Sequence, residues 1–194
     1  MTRVVLRGAQ LDDPLEVALA FLEAYGADDQ SGSAEPDTFD ERDLQRANRG
    51  GARISTAEQA AVLRRRRGIE SALREIPVTA SLASRSVPWT PLARLLGSFG
   101  ELHGIGFAKT TKALHGKRPA LIPILDSVVQ AYLATDEPPP SEFGAHAIAL
   151  VRRYKQDLDL NRAALRETRR ALAARGYTLT EVRILDLLIW SKFG

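Results

Sequence analysis

The sequence predicts an all-α fold, a single compact helical domain over residues 1–194 with one short N-terminal β-hairpin. Helix-start signals recur along the chain, and apolar residues follow them at helical spacing. Strand candidates are confined to Val4–Leu6 and residues 52–55. With 44% hydrophobic residues, a chain of 194 residues is long enough to bury a sizeable core.

Helix boundaries can be assigned from capping residues, prolines and glycines. The first signal is Asp13-Pro14, which predicts a helix over 15–25 that stops at Gly26, and the second is a capping box at 56–59. Further helices are predicted over 92–96, 107–115, 127–134, 141–155, 160–175 and 182–190. Residues 30–37 and the proline-rich segment 136–140 are predicted loops.

Composition excludes several kinds of site. The chain has no cysteine, so disulfides, thiolate zinc sites and iron-sulfur clusters are excluded, and its three histidines lack metal-ligand spacing. We expect no metal and no cofactor. No apolar run approaches the ~20 residues that span a bilayer, so we expect a cytoplasmic protein without membrane contact. The formal charge of +3 permits nucleic-acid binding without requiring it.

The most informative segment is a glycine hairpin at residues 102–106, Leu-His-Gly-Ile-Gly, which leads into a helix. Two glycines let the backbone turn sharply near a ligand, and the free amides that open the next helix favour an anion. Nearby cations would flank a bound phosphate. The predicted DNA-binding residues are Gly104, Ile105, Gly106, Lys109, Thr110, Lys112, Lys117 and Arg118. The alternative is a helix connection whose glycines only permit close packing.

The block from residue 102 to 129 resembles the signature region of the helix-hairpin-helix base-excision DNA glycosylases. That superfamily has L-P-G-[IV]-G, a helix, and then P-[IV]-x-D; this chain has Leu-His-Gly-Ile-Gly and, at 123–126, Pro-Ile-Leu-Asp. The interval between the two motifs also agrees. The resemblance implies a helix-hairpin-helix glycosylase-like helical bundle, with the hairpin and the catalytic segment within residues 90–134. Segments 119–129 and 183–190 also resemble a small actinobacterial-type family of unknown function.

The glycosylase resemblance implies an enzyme that binds duplex DNA through its phosphate backbone, extrudes a damaged or modified nucleotide and hydrolyses its N-glycosidic bond. Asp126 is the predicted catalytic residue, because an ionised carboxylate stabilises the positive charge that develops on the sugar. The alternative for Asp126 is an N-cap of the helix that begins at Ser127. Both roles are compatible in one residue.

Three positions depart from the glycosylase pattern. Bifunctional members carry a nucleophilic lysine two residues after the second hairpin glycine, where this chain has Ala108. Lys109 lies one place later, about 100° around a helix, so we predict no lyase activity. His103 replaces the usual proline, and Val128 replaces a common His or Asn.

Other residues leave two interpretations open. Asp43 and Asn48 would line a base pocket or stabilise a turn, and Trp89 would act as a wedge beside an extruded base or close the start of a helix. Trp190 is predicted in the core. Four arginines at 64–67 form a DNA-binding patch or end a helix that Gly68 stops. At the level of the whole protein, the alternatives to the glycosylase are a non-catalytic helix-hairpin-helix DNA-binding module and an interaction protein.

Overall fold

A computed structural model describes residues 3–25, 33 and 35–194, and helices dominate this part of the chain. Its elements in chain order are β1 (Val4–Leu6), β2 (Ala9–Leu11), α1 (Pro14–Tyr25), α2 (Glu41–Arg49), α3 (Thr56–Arg64), α4 (Arg66–Arg74), α5 (Trp89–Gly97), α6 (Phe107–His115), α7 (Ser127–Leu133), α8 (Phe143–Leu160), α9 (Arg162–Ala173) and α10 (Glu181–Phe193). The mostly helical architecture with one N-terminal β-hairpin confirms the predicted fold class. The closer likeness to glycosylases remains a prediction, as does the single domain.

The two strands form an antiparallel pair in which Val4 faces Leu11 and Leu6 faces Ala9. Gly8 occupies the turn with φ of 71°, a conformation that glycine adopts without strain. The outer edge of β1 is held by Asn161, which lies between α8 and α9. The Val5 amide donates to Asn161 Oδ1 at 2.7 Å, and Asn161 Nδ2 donates to the Val5 carbonyl at 2.8 Å. These bonds attach the β-hairpin to the C-terminal helices.

The predicted strand at residues 52–55 is wrong. The Asn48 side chain donates to the Ile54 carbonyl at 2.9 Å and accepts from the Ile54 amide at 2.6 Å, so it takes the backbone groups that a strand partner would need. Asn48 therefore holds the loop after α2. This contact supports the turn interpretation of Asn48 and not the base-pocket interpretation.

Helices α2 and α4 were not anticipated. Asp40 caps α2 through the Arg42 amide, and Asp43 Oδ2 accepts from the Asp40 amide at 2.9 Å, which forms a capping box in what was predicted to be a polar turn. Gly68 is not a helix stop, because it lies inside α4. The four arginines at 64–67 consequently span the junction of α3 and α4.

Several predicted boundaries shift by a few residues. The capping box of α3 is Ser55 with Glu58, one residue earlier than predicted. Helix α8 is capped by Glu142 and continues through Asp159, which was predicted to open the next helix. The predicted stop at Gly26 and half of the predicted loop 30–37 lie outside the described residues.

Helix α10 contacts α1 from the N-terminal part of the chain and α7, α8 and α9 from the C-terminal part, while α5 packs on α8 and α2 packs on α6. Apolar residues of α10 from Val182 to Ile189 are buried. No helix in the described ranges has the length and apolar character of a membrane span. This packing brings α2, the end of α6, the start of α7 and α10 around one cavity.

Candidate functional site

A cavity of about 250 Å³ lies directly beside Asp126. Its walls combine aromatic rings, cationic side chains and two carboxyl groups. The lining residues are Phe21, Arg46, Ala47, Gly50, Lys112, His115, Ile124, Asp126, Arg183, Asp186, Leu187 and Trp190. We call this space the Asp126 cavity. Its size is just below the range of roughly 300–1,000 Å³ that is usual for small-molecule sites.

Both oxygens of Asp126 accept hydrogen bonds. Oδ1 accepts from the Val129 amide at 3.1 Å, so Asp126 is the N-cap of α7, and Oδ2 accepts from Trp190 Nε1 at 2.6 Å. The residue is 7% exposed, yet it lines the cavity. The capping interpretation is therefore confirmed, and a fixed carboxylate still faces the space that a ligand would occupy.

Trp190 was predicted in the core, and the structure places it instead at the rim of the Asp126 cavity. It is 36% exposed and lies near the end of α10. Its indole N–H orients Asp126, while its ring forms part of the wall. An aromatic surface next to a placed carboxylate is suited to a planar ring.

Asp186 is a second carboxyl group on the cavity wall, one helical turn before Trp190, and it is only 1% exposed. The Tyr154 hydroxyl lies 2.6 Å from the Val182 carbonyl and 3.0 Å from Asp186 Oδ1. A carbonyl can only accept, so the one tyrosine proton goes to Val182, and the contact with Asp186 is satisfied when the carboxyl group holds a proton. Burial raises the pKa of Asp186 to about 7, in agreement with this proton count.

His115 is neutral at physiological pH. Its Nδ1 lies 2.7 Å from the Ile122 carbonyl, which fixes the proton on Nδ1 and leaves Nε2 as an acceptor. Burial lowers the pKa of His115 to about 4, with the hydrogen bond to Ile122 acting against this shift and Arg183 contributing to it. His115 thus adds no charge to the cavity at neutral pH.

Cations outnumber ionised acids around this space. Arg46, Lys112 and Arg183 line it, whereas Asp186 retains a proton up to about pH 7. Burial lowers the pKa of Lys112, Arg183 lowers it as well, and Asp126 acts in the opposite direction. The cavity is a positively charged site that contains one fixed carboxylate. In the described ranges, no group of three or more His, Asp or Glu side chains is placed to hold a metal.

The glycine hairpin does not line the Asp126 cavity. It precedes α6, whereas Lys112 and His115 belong to the last turns of that helix. Gly104 is exposed with φ of 79°, and a Cβ there would collide with Glu58 Oε1. Lys109 Nζ bonds to both oxygens of Glu58, at 2.7 and 2.8 Å. A carboxylate thus lies over the turn where a phosphate was expected.

Three predicted DNA contacts are wrong because the side chains are buried: Thr110 and Arg118 are fully buried, and Lys117 is 4% exposed. Lys117 Nζ pairs with Asp43 Oδ1 at 2.7 Å, which joins the end of α6 to α2. Ile105 is also buried beneath the turn, at 6% exposure. Of the predicted cations, Lys112 is the one that reaches the cavity.

The remaining pocket candidates have structural roles. Asp43 is 5% exposed and is occupied by its capping box and by Lys117. Trp89 begins α5, and the Arg152 guanidinium stacks 4.4 Å from its ring. Neither residue lines the Asp126 cavity. For Trp89 this placement supports the helix-start interpretation over the wedge.

The arginine run is also largely occupied. Arg65 donates to the carbonyls of Ser98 and Gly100, at 3.2 and 2.7 Å, and Arg66 pairs with Glu70 at 2.7 Å. Arg64 and Arg67 remain exposed. These contacts favour a structural junction between helices over a continuous DNA-binding patch.

Comparison with known families is decisive for classification and uninformative for activity. A family of unknown function, DUF6308, matches residues 17–193, which include every lining residue of the Asp126 cavity. The chain belongs to the DUF6308 family. No curated protein and no solved structure matches this DUF6308 chain. Its function must therefore be argued from the cavity.

Sequence reasoning missed most of the cavity wall. The clearest available signal was Asp186, an acid surrounded by Ile184, Leu185, Leu187 and Leu188 in an apolar helix, since buried acids need partners. Arg183 and Trp190 lie on the same helix as Asp186. No signal in the sequence pairs that helix with Asp126.

Proposed function

We propose that this protein is a monofunctional DNA N-glycosylase that receives an extruded base in the Asp126 cavity and hydrolyses its N-glycosidic bond. The observation that supports this proposal most is the cavity itself. A non-catalytic module would have side chains filling the space beside Asp126, whereas a glycosylase needs room there, with stacking and hydrogen-bonding groups. Trp190, Phe21 and the polar lining residues supply those groups.

The proposed chemistry needs one ionised carboxylate and one water. When the bond from C1′ to the base nitrogen breaks, its electron pair leaves with the base and positive charge develops on the sugar. Asp126 stabilises that charge and orients a water, whose oxygen bonds to C1′. The water releases one proton and the departing base gains one. Trp190 is a positioning residue here, because its N–H fixes one oxygen of Asp126.

The DNA backbone would approach the cavity rim rather than the glycine hairpin. Glu58 opposes an anion at Gly104, whereas Arg46, Lys112 and Arg183 are grouped at the cavity. Binding through these cations weakens steeply with added salt, because displaced counterions drive the association. The absence of a lysine at Ala108 and the ion pair of Lys109 with Glu58 both favour hydrolysis without lyase chemistry.

The second candidate is a non-catalytic DNA-binding module. The observation that favours it is that both oxygens of Asp126 already serve the fold, one as the cap of α7 and one as the acceptor for Trp190. A purely structural aspartate would affect DNA binding only through the fold, that is, through the cap and the contact with Trp190. This property separates the two candidates.

The deciding experiment is release of bases from duplex oligonucleotides that carry a panel of damaged and modified bases, with abasic sites as the readout. We expect the wild type to form abasic sites on at least one substrate and Asp126→Asn to lose about 100-fold or more, the magnitude typical of a lost transition-state charge contact. Asparagine keeps the cap of α7 through its amide oxygen, but its NH2 group replaces the oxygen that accepts from Trp190. The unfolding temperatures of both proteins are therefore compared to separate lost chemistry from a changed fold.

Asp136→Asn, in the exposed segment after α7, is the matched control and should keep full activity. Borohydride should trap no covalent DNA adduct with the wild type, as expected for an enzyme without lyase chemistry. Equal product from wild type and Asp126→Asn, or no product on any substrate of a broad panel, would reject the glycosylase in favour of the non-catalytic DNA-binding module.

A further inference from the structure

Lys112 and Arg183 are the two cations on the cavity wall whose side chains make no hydrogen bond or ion pair within the described residues. Elsewhere in the same region, interior cations are paired: Lys109 with Glu58, Lys117 with Asp43, and Arg118 with Asp37. A partly buried cation without a direct acidic partner carries a desolvation cost that an anionic ligand would offset.

The two unpaired cations act on one another and on their neighbours. Burial lowers the pKa of Lys112, Asp126 opposes that shift, and Arg183 and Arg53 act in the same direction as burial. Arg183 also lowers the pKa of His115 and of Asp186. Lys112 and Arg183 therefore make the potential in the cavity positive, Asp126 offsets it in part, and a bound anion would offset the remainder.

The loop after α2 passes close to Lys112. Gly51 has φ of 78°, and a Cβ placed on it would lie 3.7 Å from Lys112 Nζ. Arg53 also has a positive φ, 55°, which is uncommon for a residue with a side chain. Strained conformations of this kind occur at ligand-binding turns. Because Gly51 carries no side chain, the loop after α2 approaches the ammonium group without covering it.

We infer that the Asp126 cavity binds the phosphate of a nucleotide, with Lys112 and Arg183 as its two cationic contacts and Trp190 beside the base. Arginine supplies a planar pair of donors for phosphate oxygens, and lysine supplies a point charge. The inference rests on the proposed function for placing the base in the same cavity, and it adds the ligand class. The phosphate has two sources, a free nucleotide or a residue of a DNA strand.

Calorimetric titration of the full chain tests the inference. The probes are a deoxynucleoside 5′-monophosphate, the matching deoxynucleoside without phosphate, and a short duplex oligonucleotide. We expect a phosphate-bearing probe to bind at least about tenfold more tightly than the deoxynucleoside, the range typical of hydrogen bonds to charged groups. Lys112→Gln and Arg183→Gln should each remove that difference.

Lys109→Gln is the matched control for Lys112→Gln, because both lysines belong to α6 and Lys109 is paired with Glu58 outside the cavity. It should bind like the wild type. Lys112→Arg and Arg183→Lys keep the charge and should retain most of the affinity, which separates a lost contact from a damaged fold.

The three probes also identify the source of the phosphate. Cation-dependent binding of the monophosphate supports a free nucleotide, and cation-dependent binding of the duplex alone supports a strand. Equal affinities for the monophosphate and the deoxynucleoside, together with duplex binding that both variants retain, would overturn the inference. Phosphate-dependent binding without abasic-site formation would reject only the glycosylase.

Discussion

Asp186→Asn should become more stable relative to the wild type as the pH rises from about 4 to about 8. Burial raises the pKa of Asp186 from 3.8 to about 7. The folded protein therefore keeps a proton that the unfolded chain releases above about pH 4, and the stability contributed by this group is lost as the pH rises through 7. The change is on the order of 4 kcal/mol. Asparagine removes this pH dependence because its side chain does not titrate.

The structure also explains why asparagine fits at this position. Its amide can donate to the Tyr154 hydroxyl, as the protonated carboxyl group does, and its carbonyl can accept from the Ile124 amide. Urea unfolding of both proteins at several pH values measures the difference. If the difference in unfolding free energy between the two proteins stayed constant across the pH range, Asp186 would be ionised in the folded protein. That result would contradict the proton assigned to Asp186 from the hydrogen bonds of Tyr154.

The stability contributed by His115 changes with pH in the opposite direction to that contributed by Asp186. Burial lowers its pKa from 6.5 to about 4, so the unfolded chain takes up a proton first as the pH falls. The stability associated with a neutral His115 is present above pH 6.5 and is lost as the pH falls through 4. In the wild type these two contributions oppose each other between pH 4 and 6.5. His115→Gln should therefore lose stability relative to the wild type as the pH rises through that window.

Arg118→Ala should lower the free energy of unfolding by roughly 3–5 kcal/mol. Arg118 is fully buried, and its guanidinium donates at 2.6–3.1 Å to several backbone carbonyls and to one carboxylate. The acceptors belong to Pro36, Asp37, Leu73, Ile76 and Lys117. Alanine leaves these carbonyls without donors and opens a void.

Urea unfolding again provides the measurement, with Arg85→Ala as the control. Arg85 is exposed, and its removal should change stability by less than about 0.5 kcal/mol. Arg118→Lys should recover only part of the loss, because an ammonium group has three donors and cannot reproduce the planar fork. Similar stability of Arg118→Ala and Arg85→Ala would contradict the structural role assigned to this residue.

The segment from the glycine hairpin to α7 was predictable because local signals agree there. Gly106 ends the turn, and α6 occupies the predicted residues 107–115. Asp126 caps α7, a position that aspartate side chains favour. Thr180 likewise caps α10 at the predicted boundary. At these positions, the residues that determine the structure are neighbours in sequence.

Prediction failed where distant residues determine the outcome. Lys117 and Arg118 look like surface cations in the sequence, and their burial depends on acceptors 42–82 positions away, such as Ile76 and Pro36. The polar residues 40–48 indicate a base-pocket wall or a turn, and helix α2 was not predicted because the burial of its inner face depends on packing against α6. The cavity was missed because it joins α2, α6 and α10, and the residue types alone do not encode that packing.

The two tryptophans allow one direct test of the central claim that a nucleotide enters the Asp126 cavity. In a ¹⁵N-labelled protein each indole N–H gives its own NMR signal, and Trp190 donates to Asp126 whereas Trp89 lies under Arg152. Titration with a duplex oligonucleotide that carries a non-hydrolysable nucleotide analogue should shift the Trp190 signal and leave the Trp89 signal in place. An unchanged Trp190 signal at saturating oligonucleotide would contradict the claim.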